Sequence, residues 1–76
     1  MSEQDDLAAL IEQLYTDYLT DYMSVFGFVY IPNAHDQFVR GFDNGRLGYR
    51  EISINDAYDS GWLEGKIYAA THNSKL

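Results

Sequence analysis

Residues 33–47 and 53–67 repeat one another at an offset of twenty. Asn33 matches Ser53, Asp36 matches Asp56, Phe38 matches Tyr58, Gly41 matches Gly61, Phe42 matches Trp62, Gly45 matches Gly65, Arg46 matches Lys66 and Leu47 matches Ile67, eight positions in fifteen. Each copy reads as a helix: a capping residue, an Asp three residues on, then aromatic and glycine positions in alternation and a basic close. Glycine inside a helix costs up to about 1 kcal/mol against alanine, so two per helix at a spacing of four need a structural reason. Small residues at that spacing let two helix backbones approach closely. The ridge runs Ala57, Gly61, Gly65, Ala69 in the second copy and Gly41, Gly45, then Gly48 in the first, with Phe42 and Trp62 as the flanking aromatics. Two copies are too few for a solenoid. Gly-xxx-Gly is best attested in membranes, but Arg40, Asp43, Arg46, Asp59, Glu64 and Lys66 stand among these glycines, which favours close packing in water. The pattern predicts an antiparallel helix hairpin, about 34–48 and 54–71, turned at Gly48–Ile52. The alternative use of the glycine face is to receive a partner helix or a second copy of the chain.

Upstream, residues 2–26 read as an amphipathic helix. Ser2 is the candidate cap, and Leu7, Leu10, Ile11, Leu14, Tyr18, Tyr22 and Val25 recur at spacings of three and four. Gly27 is the candidate stop. Phe26 to Pro32 is an apolar connector with β-prone residues, and Pro32 ends whatever precedes it. The expected fold class is therefore all-α: an N-terminal amphipathic helix, an apolar connector and a close helix hairpin, in one domain spanning 1–76.

Charge constrains function more than it constrains fold. Residues 1–39 hold seven acids and no Lys or Arg, whereas residues 40–76 hold five of each sign, for a net charge of −7. Phosphate and anionic lipid both need basic contacts, so neither direct nucleic-acid binding nor membrane binding is expected. The natural partner is a basic protein surface. Asp6, Asp17 and Asp21 fall in one stripe of the first helix, and Asp17 and Asp21 form an i,i+4 like-charge pair that costs a few tenths of a kcal/mol. Seven Tyr and one Trp in 76 residues exceed what so small a core buries, and such rings suit interfaces. The candidate partner-binding residues are Asp6, Glu12, Asp17 and Asp21 with Tyr15, Tyr18 and Tyr22.

No catalytic constellation is legible. The chain has no Cys, and His35 and His72 stand at no metal-ligand spacing. The glycines follow no strand, so they form no phosphate loop. The expectation is a non-enzyme without metal or cofactor. A basic n-region and a long apolar run are both lacking, which points to a cytoplasmic protein.

The stretches Arg40-Gly41-Phe42-x-x-Gly45 and Tyr58-x-x-Gly61-Trp62-x-x-Gly65 resemble the helix hairpin of the ribosome modulation factor family over residues 38–69. That resemblance implies a paired-helix fold and a ribosome-associated role, and no binding residue is carried over from it. In its small size, acidity and tyrosine content the chain also resembles phage-encoded inhibitors of host defence, the anti-restriction and anti-CRISPR proteins. This second likeness implies a non-catalytic inhibitor that occludes a basic, nucleic-acid-handling protein. The competing expectation is an assembly module that dimerises through its glycine ridge.

Overall fold

The computed structural model describes residues 3–27, 32–52 and 54–72, with side-chain surroundings from Asp6 onward. Among these residues the fold is all-helical, in the order α1 (Glu3–Phe26), α2 (Ala34–Arg46) and α3 (Asp56–His72). The candidate caps Ser2 and Ser53, and Phe28–Ile31 of the connector, lie outside the described residues. The chain divides into two compact units, Met1–Tyr30 and Ile31–Leu76.

In the first unit α1 stops where the glycine predicts. Gly27 takes φ 83°, and its N–H donates to the Met23 carbonyl at 2.8 Å. That left-handed conformation suits glycine and strains a residue carrying Cβ.

The second unit is built on its four interior glycines. A Cβ on Gly41 would fall onto the Tyr58 carbonyl oxygen and lie 2.9 Å from the Trp62 nitrogen. On Gly45 it would strike the Trp62 carbonyl oxygen and lie 3.1 Å from the Lys66 nitrogen. From the other helix, a Cβ on Gly61 would meet the Phe38 carbonyl, and one on Gly65 the Phe42 carbonyl and the Arg46 nitrogen. Every obstacle is backbone. The two helices touch main chain to main chain, a geometry in which weak Cα–H···O contacts recur. Phe38, Phe42, Ala57 and Tyr58 are buried beside the contact, each large side chain contributing about 1.5–3 kcal/mol of apolar burial. Trp62 is only half-buried. Its indole N–H donates to the Tyr49 carbonyl at 3.0 Å, and Lys66 Nζ lies 5.3 Å from its ring centroid.

The direction of the pair corrects the sequence expectation. Residues 38–41 lie level with 58–61, and 42–45 level with 62–65, so α2 and α3 run the same way rather than antiparallel. The twenty-residue offset is thus an internal two-fold: exchanging the helices turns the Gly41–Tyr58 contact into Gly61–Phe38, and Gly45–Trp62 into Gly65–Phe42. The link makes this possible. Leu47–Asn55 is nine residues, with a reach of about 30 Å, whereas α2 is only about 20 Å long. The chain leaves one end of α2 and travels back to begin α3 at the other.

Parallel neighbours set two positive helix ends side by side. Asp36 in the first turn of α2, with Asp56 and Asp59 in that of α3, offsets this. Two further expectations are corrected at the termini. Asn33 adopts a left-handed conformation (φ 55°) and makes no side-chain cap bond. Asn55 caps α3, its Oδ1 accepting from the Tyr58 N–H at 2.8 Å. Gly48 is not part of the ridge. It takes φ 84° and closes α2 with two bonds, Gly48 N–H to the Gly45 carbonyl (3.2 Å) and Tyr49 N–H to the Asn44 carbonyl (2.9 Å), the Schellman pattern.

Between the helices, Asn44 Nδ2 donates to Tyr58 Oη at 2.6 Å. Tyr58→Phe removes this bond without changing ring volume. The expected loss is about 1 kcal/mol, a fall of roughly 4–8 °C in a thermal melt; an unchanged melt would show that water substitutes fully.

Candidate functional site

α1 carries the candidate residues. At 100° per residue, Asp6, Asp17 and Asp21 fall on one flank of the helix, Glu12 falls on the opposite flank, and the tyrosines lie between. All four carboxylates are exposed. Asp6 and Asp21 stand about 22 Å apart along the axis. Gln13 Nε2 donates to Asp17 Oδ1 at 3.2 Å, while Thr16 and Thr20 turn their hydroxyls to backbone carbonyls four residues back. α1 contains no Lys or Arg, so no cationic side chain of the helix offsets its acids. In the other unit Arg46 pairs with Asp43 of its own helix at 3.7 Å.

The aromatic residues form a continuous ladder. Ring centroids are 6.2 Å apart for Tyr15–Tyr18, 5.7 Å for Tyr18–Tyr22 and 4.6 Å for Tyr22–Phe26. Exposure varies along it. Tyr15 and Tyr18 are half-buried, Tyr22 is buried at 5 % and Phe26 is 53 % exposed. The rings that a partner can reach are therefore Tyr15, Tyr18 and Phe26, while Tyr22 supports its neighbours from beneath. Phe26 was not singled out in the sequence, yet its place four residues after Tyr22 on the same side was legible. Met23 and Val25, at 50 % and 75 % exposure, extend the apolar surface at this end of α1.

Burial and, secondarily, the Glu12 carboxylate raise the Tyr15 phenol above its ordinary pKa of 10.0. The neutral phenol is thus favoured in the fold, and Tyr15 meets a partner as a hydrogen-bond donor. The linked stability is fully present below pH 10, the unfolded value, and is lost as pH rises through the folded one. Alkaline titration of stability should show this fall in the wild type and a smaller one in Tyr15→Phe.

The other sequence-singled residues sit elsewhere. Gly41, Gly45, Gly61, Gly65 and Phe42 are buried in the α2–α3 contact, with Trp62 at its edge. His35 is exposed in the first turn of α2, and His72 stacks on Tyr68 with ring centroids 3.9 Å apart. Among the described residues no group of three His, Asp or Glu side chains could hold a metal ion, and no helix is long and apolar enough to cross a membrane. No family model, curated protein or solved structure matches this chain.

Proposed function

We propose that α1 is a docking strip for a basic, nucleic-acid-handling protein, and that the chain acts as a non-catalytic occluding inhibitor of the anti-restriction or anti-CRISPR kind. The observation that carries this reading is the tyrosine ladder flanked by exposed carboxylates on a helix without a single cation. Carboxylates accept from the Arg and Lys groups that otherwise hold phosphate. The row from Asp6 to Asp21 spans about six base-pair steps of duplex, the right scale to fill a nucleic-acid groove. Tyr15 and Tyr18 would supply the desolvated anchor, and the acids the steering. The four interior glycines pack on main chain of the same molecule, which favours this reading over the alternative of an assembly module that dimerises through its glycine ridge.

The test is affinity capture from host lysate across salt, followed by competition with duplex oligonucleotide. Strongly basic nucleic-acid-binding proteins should be retained at about 0.1 M salt and released by about 0.5 M, and excess duplex should displace them. Capture that ignores both salt and duplex would overturn the reading.

A further inference from the structure

Asn44–Gly45 is the one Asn-Gly pair in the chain, and it lies in the main-chain contact between α2 and α3. Asn-Gly is the dipeptide at which a backbone amide most readily attacks the preceding side-chain amide, since glycine offers no side chain to obstruct it. In the fold the parts needed for that attack are tied down. Asn44 Nδ2 is held on Tyr58 Oη at 2.6 Å. The Asn44 carbonyl accepts from Tyr49 N–H at 2.9 Å, and the Gly45 carbonyl from Gly48 N–H at 3.2 Å. The Gly45 nitrogen belongs to α2, where it faces the carbonyl four residues back rather than the Asn44 side chain. The Gly45 Cα rests against the Trp62 backbone.

We propose that Asn44–Gly45 is a deamidation site gated by the fold: closed while α2 lies against α3, open when the helices part, and one-way because its main product cannot rebuild the contact. In the open chain the Gly45 nitrogen forms a bond to Asn44 Cγ and gives up its proton to solvent. The Cγ–Nδ2 bond breaks and ammonia leaves, closing a succinimide. Water then opens the ring. Addition at the backbone carbonyl leaves Gly45 joined through Cγ, an isoaspartyl link. Addition at Cγ leaves ordinary aspartate. The net change is one water consumed and one ammonia released, with no oxidant or cofactor. The isoaspartyl link adds a main-chain carbon where the glycine backbone meets Trp62, so the helix turn and the contact both fail. The aspartyl product keeps the backbone, and its carboxylate accepts from Tyr58 Oη. Each parting of the helices thus carries a chance of permanent loss, and the chain's competent lifetime counts its openings.

The experiment follows Asn44 conversion in the full chain by peptide mass spectrometry, with chromatographic separation of the isoaspartyl form. The reference asparagines are Asn33 and Asn55. In native buffer conversion at Asn44 should be at least about hundredfold slower than in guanidinium. Tyr58→Phe, still folded, should speed native conversion by roughly threefold to tenfold. The isolated isoaspartyl chain should lose the helicity of α2 and α3, whereas Asn44→Asp should melt close to wild type. Native conversion at the denatured rate, no acceleration in Tyr58→Phe, or an isoaspartyl chain that melts like the parent would each overturn the proposal.

Discussion

Gly61→Ala is expected to lower the melting temperature on the order of 15 °C, although alanine is the better helix former. Propensity alone gives the substitution about 1 kcal/mol of stabilisation. Against that stands the Phe38 carbonyl, onto which the new Cβ would fall, with the Phe38 Cα at 3.1 Å. A flexible side chain could swing aside, but a helix backbone moves only by separating the helices and unpacking Phe38 and Phe42. Overpacking of this kind costs about 1–3 kcal/mol where the surroundings can yield, and here they yield poorly, so the steric effect exceeds the propensity gain. Gly41→Ala, Gly45→Ala and Gly65→Ala should behave alike, because the internal two-fold gives each glycine an equivalent obstacle. Gly41→Ala combined with Gly61→Ala should cost less than the sum, since both act at one level of the contact and the first already parts the backbones. Leu63→Ala is the control: Leu63 is 54 % exposed on the same helix and should change stability by no more than about 0.5 kcal/mol. Far-ultraviolet circular dichroism during heating reads every variant. A Gly61→Ala chain as stable as its parent would refute the main-chain contact.

Asp17→Lys combined with Asp21→Lys should weaken binding to a cationic partner at least about hundredfold at low salt, since like charges set against one another cost several kcal/mol. The effect should shrink as salt rises and screening shortens. Folding offers no rival explanation. Both residues are exposed, and the new pair is as self-repelling at i,i+4 as the old one. The bond from Gln13 to Asp17 is lost, worth a few tenths of a kcal/mol. Glu51→Lys, exposed in the link between α2 and α3, changes charge in the same sense away from α1 and should leave affinity nearly intact. Titration calorimetry across a salt series separates the cases. Equal affinity for the double reversal and the parent would remove α1 as the docking strip.

The helices and their close contact were legible because glycine placement and apolar spacing are local signals with a definite physical cost. Gly27 and Gly48 stood where a chain must turn left-handed. Direction was not legible: glycines four apart allow two backbones to touch whichever way they run. A turn at Gly48–Ile52 argued for reversal, but the non-helical link continues to Asn55 and is long enough to return. At the start of α3 the cap that the structure describes is Asn55, whose Oδ1 accepts from the Tyr58 N–H, a residue type as suited to capping as the serine singled out two places earlier. On α1 the exposure of Asp6, Asp17 and Asp21 followed from periodicity. Glu12 on the far flank was readable from the same angles and was grouped with them by charge alone. The burial of Tyr22 depends on packing, which no spacing rule reports.

Because α2 and α3 point the same way, the polypeptide enters the second unit at one pole and leaves it at the other. Tension applied between those two points would drag the helices lengthwise past each other, loading all four glycine contacts at once, instead of peeling them apart one by one as it would in a folded-back pair. Such a unit resists stretching as a rivet does.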